Sequence, residues 1–301
     1  MQKIIVVAGP TASGKSAFAV TLAKSVGGAV ISADSMQIYR GLDIGTAKAT
    51  AVERAEVPHY LIDIVDADDE FSVAAFRNAA DDAIRDAVSK GFIPIIAGGT
   101  GLYIDALLYK FSFSDTPKDS GLRDRLRAEA ETDLSALYAR LTACDPDAAA
   151  RIHSNDAKRI VRALEIFELT GAPKRSGERE PRYDALRFGM LLPRETLYER
   201  INARVDRMFS EGLEREVSAA VVKTGFDCQS MQAIGYKEFE NYFKNAATLE
   251  ETKELIKKNT RNYAKRQMTW FRKSALIWIS PFQTEQAAVM TREFLEAATE
   301  N

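Results

Sequence analysis

The chain has 301 residues, 46 % hydrophobic and 28 % charged, with a formal net charge of −2, enough for one full core plus an insertion. Cys144 and Cys228 have no metal-ligand spacing, and His59 and His153 stand alone, which excludes a zinc site and a disulfide framework. No apolar run approaches the roughly 18 residues of a membrane span, and the first residues enter a strand at once, so no membrane partner, no signal peptide and a cytoplasmic location are expected.

The apolar run at residues 4–8 predicts a strand, followed directly by GPTASGKS, residues 9–16. This fills every position of the phosphate-loop pattern G-x-x-x-x-G-K-[ST]. Backbone N–H groups of such a loop and the start of the helix it opens, predicted at residues 15–25, form a concave donor site. Lys15 adds a point charge and Ser16 a hydroxyl suited to Mg²⁺. The loop is expected to bind a di- or triphosphate-like group.

Strands follow at residues 29–33, 60–65 and 93–97, with a helix at residues 73–90. This βαβ series predicts an α/β fold, a parallel sheet flanked by helices. Right-handed crossovers bring the carboxyl ends of the strands to one edge, so residues 9–16, 34–39 and 98–103 should share one crevice. Asp34 there suits a general base, or else it caps a turn or supports Mg²⁺ through water. Ser35, Gln37 and Tyr39 offer polar groups for reading the edge of a planar heterocycle. In GGTGLY, residues 98–103, the glycines would let the backbone approach a ligand and Thr100 could donate a hydroxyl hydrogen bond; a packing turn is the plainer alternative. Asp63, in LIDIV, is a weaker candidate for holding a metal.

From about residue 114 the character turns polar and helical, with helices predicted at residues 121–131, 134–141, 146–152 and 156–169. An all-helical insertion domain over residues 116–182 is expected inside a core of residues 1–115 and 183–301, with an exit linker at 175–182. Asn155 and Asp156 can cap the helix carrying Lys158, Arg159 and Arg162. Strands at residues 188–192 and 276–280 return to the sheet, separated by helices at 194–224, 236–241 and 249–274. Between residues 251 and 273 eight basic residues stand against two acids. Lys258, Arg261, Lys265 and Arg272 form one stripe at helical spacing, opposite Ile256, Tyr263 and Trp270, which suits the phosphates of a folded nucleic acid or else is a solvated face.

GPTASGKS, DSMQIYRGLDIGTAK, PHYLID, GGTGLY, DPDAAARIHSNDAKRIVRALE, QAIGYKE and KRQMTWFR stand in the order and spacing of the tRNA dimethylallyltransferases, also called tRNA isopentenyltransferases. The resemblance runs from about Ile4 to Trp278. It departs where GTAKAT lacks the usual proline and where Tyr60 stands in PHYLID; no Cys₂His₂ finger follows Trp278, which implies the compact bacterial form.

The resemblance implies transfer of a dimethylallyl group from dimethylallyl diphosphate to N6 of an adenosine next to the anticodon of tRNA. Asp34 would be the general base, with Lys15 and Thr100 beside it as catalytic residues. The diphosphate would lie on Gly9, Pro10, Thr11, Ala12, Ser13, Gly14, Lys15 and Ser16, with Arg200 and Arg204 as further ligands and Mg²⁺ on Ser16. The tRNA anticodon stem-loop would meet Asp34, Ser35, Met36, Gln37 and Thr100 in the core, and Arg123, Lys158, Arg159, Ile160, Val161 and Arg162 in the insertion. Two further segments complete that surface: Gln232, Ala233, Ile234, Gly235, Tyr236 and Lys237, then Lys265, Arg266, Gln267, Met268, Thr269, Trp270, Phe271 and Arg272. A monomer is expected. A small-molecule kinase shares the loop but has no use for the basic stripe. A prenyltransferase acting on free adenine nucleotide shares the chemistry but needs no insertion. A non-catalytic RNA-binding module would not gather Lys15, Asp34 and Thr100 at one site.

Overall fold

The computed structural model describes residues 1–110, 119–171 and 180–297. Contacts divide the chain into two compact units, Met1–Tyr109 with Pro181–Asn301, and Lys110–Glu180. The domain boundary expected at 115/116 and most of the exit linker expected at 175–182 lie outside the described residues.

In the larger unit β1 (Lys3–Ala8) leads through the loop of residues 9–14 into α1 (Lys15–Val26), and β2 (Gly28–Ser32) follows. Next come α2 (Ala51–Glu56), β3 (His59–Tyr60), α3 (Val73–Ser89), β4 (Ile93–Gly98) and α4 (Gly101–Leu108). The smaller unit is helical: α5 (Ser120–Thr132), α6 (Leu134–Cys144), α7 (Pro146–Arg151) and α8 (Ala157–Thr170). Asp119, Asp133, Asp145 and Asp156 each cap one of these four helices through the side chain, satisfying a backbone N–H that the first turn leaves open. Its core is a cluster around Leu126, Leu137, Leu141, Ile160 and Leu164. The larger unit resumes with β5 (Asp184–Met190), α9 (Arg194–Glu211), α10 (Leu213–Thr224), a 3₁₀ turn (Ser230–Gln232) and α11 (Phe239–Phe243). It ends with α12 (Leu249–Phe271), β6 (Ile277–Ile279) and α13 (Thr284–Glu296).

The six strands pair in the order β3-β2-β4-β1-β5-β6, every pair parallel. Parallel strands need crossovers that cover both faces, and the period-2 alternation of β1 shows it. Ile4, Val6 and Ala8 join the apolar cluster on one face, with α3, α4 and α10; Ile5 and Val7 join the one on the other, with α1 and α13. β1 lies between β4 and β5, so the loop after it opens at the centre of the sheet's carboxyl edge.

Three sequence expectations change. β3 is two residues instead of six, because Leu61 and Asp63 take φ of 61° and 57°, a left-handed backbone that cannot continue a strand. The helix expected over 194–224 breaks at Gly212, whose φ of 102° ends α9 and starts α10. The glycine-rich segment after β4 becomes α4, and α13 was not anticipated.

At Gly98 a Cβ would stand 2.2 Å from the carbonyl oxygen of Ala33, where β2 and β4 lie closest at the crevice. Gly98→Ala is expected to pry these strand ends apart and lower stability by about 2 to 4 kcal/mol. Urea denaturation checks it: an unchanged midpoint would mean the backbone yields without cost.

Candidate active site

The loop of residues 9–14 is wound by two left-handed residues, Ala12 (φ 61°) and Gly14 (φ 89°), the second of which starts α1. The amino end of α1 therefore opens onto the crevice with Lys15 in its first turn. The Lys15 ammonium stands 3.4 Å from the Pro10 carbonyl, folded back over the loop. Burial pulls its pKa down to about 8; the Asp34 carboxylate opposes that shift and the Arg204 guanidinium adds to it. Two cations and one carboxylate thus share a poorly solvated space, an excess of positive charge that favours an anion.

The strand-end loops are joined by one side chain. Gln267 of α12 is buried; its Oε1 accepts from the Thr11 N–H at 2.9 Å and its Nε2 donates to the Gly99 carbonyl at 2.9 Å. The third loop is attached through Thr100, whose hydroxyl accepts from the Ser35 N–H at 3.2 Å while its own N–H donates to the Ala33 carbonyl at 3.3 Å. Asp34 Oδ1 accepts from the Met36 N–H at 2.9 Å, the turn-capping role that the sequence left open, and its carboxylate still borders the pocket.

The glycines of the segment after β4 serve this packing. A Cβ at Gly99 would meet Gln267 Nε2 at 2.3 Å and one at Gly101 the Trp270 indole at 2.4 Å. They admit α12 side chains rather than a ligand, which corrects the sequence expectation.

On α9, Arg200 and Arg204 are one turn apart on the face toward the loop. Arg204 donates to the Thr11 hydroxyl at 3.4 Å, and Arg200 lies over the exposed Phe282 ring at 5.7 Å, beside Gly14. Together these elements enclose a cavity of about 290 Å³ with a polar end at Thr11, Lys15, Asp34, Arg204 and Gln267. Met36, Ala47, Val205, Met208, Ala233, Ile234 and Ile256 supply its apolar lining, and Ser35, Thr46, Gln232, Lys237 and Thr260 also border it. Tyr263, expected only to hold α12 to the body, is a site residue: burial pushes its hydroxyl up to about 12, Asp34 adds to this, and bonds with Thr100 and Gln267 oppose it. Arg266 stacks on that ring at 5.5 Å and also lines the cavity.

Several other sequence candidates prove structural. Gln37 is consumed: Nε2 donates to the Thr46 and Ala47 carbonyls and Oε1 accepts from Ser32, so it props the pocket wall instead of reading a heterocycle. Tyr39 is fully buried in the core. Ile160 and Val161 form part of the smaller unit's core, and Phe271 is buried in the larger one. Tyr236 is also fully buried; its hydroxyl donates to Glu216 at 2.6 Å, and that carboxylate takes the N–H groups of Asp43, Ile44 and Gly45. Asp63 is not free for a metal, since it pairs with Lys48 at 2.6 Å and Arg54 at 2.8 Å.

Arg123 and Arg162 both bind the buried Glu165, Arg123 through two nitrogens. Burial raises that carboxyl's pKa, but the bonds from Arg162 and Arg123 outweigh it and hold it below its ordinary value. The two cations still border a groove with Arg127, Lys158 and Glu131 between α5 and α8. Lys158 and Arg159 are exposed. On α12, Lys265 and Arg272 are exposed as expected, whereas Trp270, expected on the buried face, is 38 % exposed. Of the remaining basic residues, Lys253 and Lys257 pair with Asp206, and Arg261 donates to Asn202 at 2.6 Å. Gln232 and Lys237 are exposed, and with Ala233, Ile234 and Gly235 they line the cavity. The sequence marks Tyr263 only as part of the face opposite the basic stripe and does not mark Glu216; for Met208 the helical spacing it shares with Arg200 and Arg204 is the one signal linking it to the loop.

Comparison with known proteins adds a family-scale finding. The IPP transferase model matches residues 37–274 and the isopentenyl transferase model residues 2–65. A tRNA dimethylallyltransferase of Bacillus cytotoxicus is 46 % identical over 298 residues, covering 97 % of this chain and 94 % of the relative. That of Bacillus subtilis is 46 % identical over 283 residues, 92 % of this chain and 90 % of its own. The crystal structure of the full-length tRNA isopentenylpyrophosphate transferase of Bacillus halodurans has a TM-score of 0.75 at 43 % identity, covering 98 % of this chain and 97 % of that one. A eukaryotic dimethylallyltransferase acting on tRNA superposes with a TM-score of 0.84 at 30 % identity, covering 98 % of this chain and 80 % of its own.

The lowered pKa of Lys15 gives a pH signature for anion binding. An anion favours the protonated amine, so affinity for inorganic diphosphate is expected to fall as pH rises through about 8. Lys15→Arg keeps its charge there, and comparison with it cancels the titration of diphosphate itself. Isothermal titration from pH 7 to 9.5 should show a steeper loss in the wild type; parallel curves would remove Lys15 from the anion site.

Proposed function

Because this chain belongs to the IPP transferase family, with a model match over residues 37–274 and relatives 46 % identical across nearly its whole length, we propose that it transfers a dimethylallyl group from dimethylallyl diphosphate to N6 of an adenosine beside the anticodon of tRNA. The observation that carries this reading is one cavity lined both by Lys15, Asp34 and Arg204 and by an apolar set of Met36, Val205, Met208, Ala233, Ile234 and Ile256. A diphosphate joined to a short hydrocarbon has that polarity. A kinase would need no such apolar space beside its phosphates.

In the reaction, the allylic C1–O bond breaks and a bond forms from N6 to C1. The N6 proton passes to Asp34 and diphosphate leaves. The adenine amine is a weak nucleophile because its lone pair is delocalised into the ring, so removing the proton as the bond forms lowers the barrier. Asp34 has one oxygen bound to Met36 and a second left for that proton. At the other end negative charge grows on the departing diphosphate. Lys15, the loop N–H groups, Arg200 and Arg204 would stabilise it, and Thr100 would complete the catalytic set.

Among the described residues no cluster of three or more His, Cys, Asp or Glu offers a metal cage. The exposed Ser16 hydroxyl in the first turn of α1 nevertheless suits Mg²⁺, which takes few protein ligands and draws the rest from phosphate and water. When bound, Mg²⁺ would neutralise charge on the diphosphate.

The anticodon stem-loop is assigned two cationic surfaces, the groove bordered by Arg123, Lys158 and Arg162 and the outer stripe of Lys265 and Arg272. For a target base inside a stacked loop, chemistry requires it to leave the stack. Every residue lining the cavity belongs to the larger unit, and action as a monomer is part of this reading. No described helix is long and apolar enough to cross a membrane. Work on tRNA in the cytoplasm fits this.

Nucleoside mass spectrometry of tRNA incubated with dimethylallyl diphosphate tests the activity; ATP-dependent phosphorylation of a small acceptor without prenylated adenosine would overturn it. Asp34→Asn should lower kcat by about 10² to 10⁴ with a smaller change in tRNA affinity, since the amide keeps the shape and loses the base. Near-normal kcat would reduce Asp34 to its turn-capping role. Neutralising both Lys265 and Arg272 should weaken stem-loop binding and flatten its dependence on log salt by roughly one to two units. Identical slopes would make the stripe a solvated face.

A further inference from the structure

Phe282 stands in the turn between β6 and α13 and is 77 % exposed, so its ring adds little to the core. The turn itself is tied down. The Ser280 N–H donates to Gln283 Oε1 at 2.8 Å, the Gln283 N–H to the Ser280 carbonyl at 3.0 Å, and the Phe282 N–H to Ser280 Oγ at 3.4 Å. It lies against the loop of residues 9–14, because a Cβ at Gly14 would stand 3.2 Å from Pro281 Cβ. The same Cβ would stand 3.6 Å from Arg200 Nη1, and the Arg200 guanidinium lies over the Phe282 ring at 5.7 Å. Arg200 is thus beside both the ring and the residue that starts α1. Among the described residues it has no carboxylate and no hydrogen-bond partner. Other fixed arginines are held by acids: Arg123 and Arg162 by Glu165, Arg54 by Asp63, Arg182 by Asp81. A carboxylate orients a guanidinium but offsets its charge and occupies its N–H groups. An aromatic face attracts the cation through its quadrupole and leaves the donors in the guanidinium plane unspent.

Resting on the reading of this loop as the seat of the donor's diphosphate, we infer that Phe282 is a positioning residue, whose ring holds the Arg200 guanidinium beside the loop with its charge and N–H donors free for the diphosphate. An arginine ordered before the anion arrives loses less rotamer freedom when it binds, so the ring raises affinity without meeting the anion itself. Phe282 acts through Arg200 and not on the reacting atoms. Its exposure follows from the same role, since a ring that steadies a cation at the rim of an anion site has only one face to use.

The test is a double-mutant cycle on the full chain, with inorganic diphosphate as the probe and isothermal titration as the readout. Phe282→Ala should raise Kd about two- to fivefold, the worth of an exposed cation–π contact. In an Arg200→Ala background the same substitution should leave Kd unchanged, because the group it acts through is gone. Phe282→Tyr keeps the ring face and should bind diphosphate like the wild type. Phe282→Leu keeps apolar bulk without the quadrupole and should bind like the alanine variant. Thermal midpoints of all three should stay near the wild type, since the side chain is largely exposed. Wild-type affinity in Phe282→Ala or Phe282→Leu, an alanine-like loss in Phe282→Tyr, an equal loss in the Arg200→Ala background, or a midpoint that falls in step with affinity would overturn the inference. A wild type that binds no diphosphate would instead overturn the reading of the loop as the diphosphate seat, and this inference with it.

Discussion

The carboxyl edge of a parallel sheet brings loops together but does not hold them, because each loop's backbone ends its ladder there. In this protein the holding is done by the Gln267 amide, buried between the phosphate loop and the turn after β4. An amide presents an acceptor and donors in one plane, so a single side chain can satisfy an N–H on one loop and a carbonyl on the other. Left without that partner, the Gly99 carbonyl and the Thr11 N–H would be desolvated backbone groups, each costing about 1 to 3 kcal/mol. The close approach of α12 that the bridge requires explains the absence of side chains at Gly99 and Gly101, and it carries Tyr263 and Arg266 into the cavity.

The same economy of partners builds the wall that faces α12. Glu216 collects three consecutive N–H groups and the Tyr236 hydroxyl, and Gly45 is small because a Cβ there would lie 2.5 Å from the Tyr236 ring. Lys48 is buried and satisfied by the Tyr39 carbonyl, Asp43 and Asp63. A buried cation without such partners would be expensive to keep charged. The cations that line the cavity, Lys15 and Arg204, lack that degree of pairing, and the drop of the Lys15 pKa to about 8 registers the difference. Structural cations are neutralised within the fold, whereas those at the loop of residues 9–14 leave an excess of positive charge.

The helical unit follows a related logic with a different outcome. Its buried Glu165 orients Arg123 and Arg162, yet the two guanidinium groups still border the groove with Lys158 and Arg127. A carboxylate that fixes two guanidinium planes reduces the entropy they would lose on meeting a phosphate. Exposed Lys265 and Arg272 have no such restraint and suit contacts that follow charge more than shape.

Sequence alone determined what local chemistry and periodicity can encode. The apolar runs marked β1, β2 and β4 because strands buried on both faces need continuous hydrophobic stretches, and shorter runs marked the carboxyl part of β5 and all of the edge strand β6. The GPTASGKS pattern was legible because its glycines and Lys15 are contiguous, and Asp34 and Arg204 stand in motifs that the fold brings to one cavity. Tertiary structure decided which side of each residue is used. Gln37, Gln267 and Tyr236 look like recognition groups in a string of letters, but their partners are 5 to 256 residues away and turn them into struts. The short β3 and the break at Gly212 depend on backbone angles that composition does not specify. Met208 and Ile256 read as ordinary core residues until the packing of α9 against α12 brings both to one cavity, because a pocket is made by packing between helices and no single helix contains it.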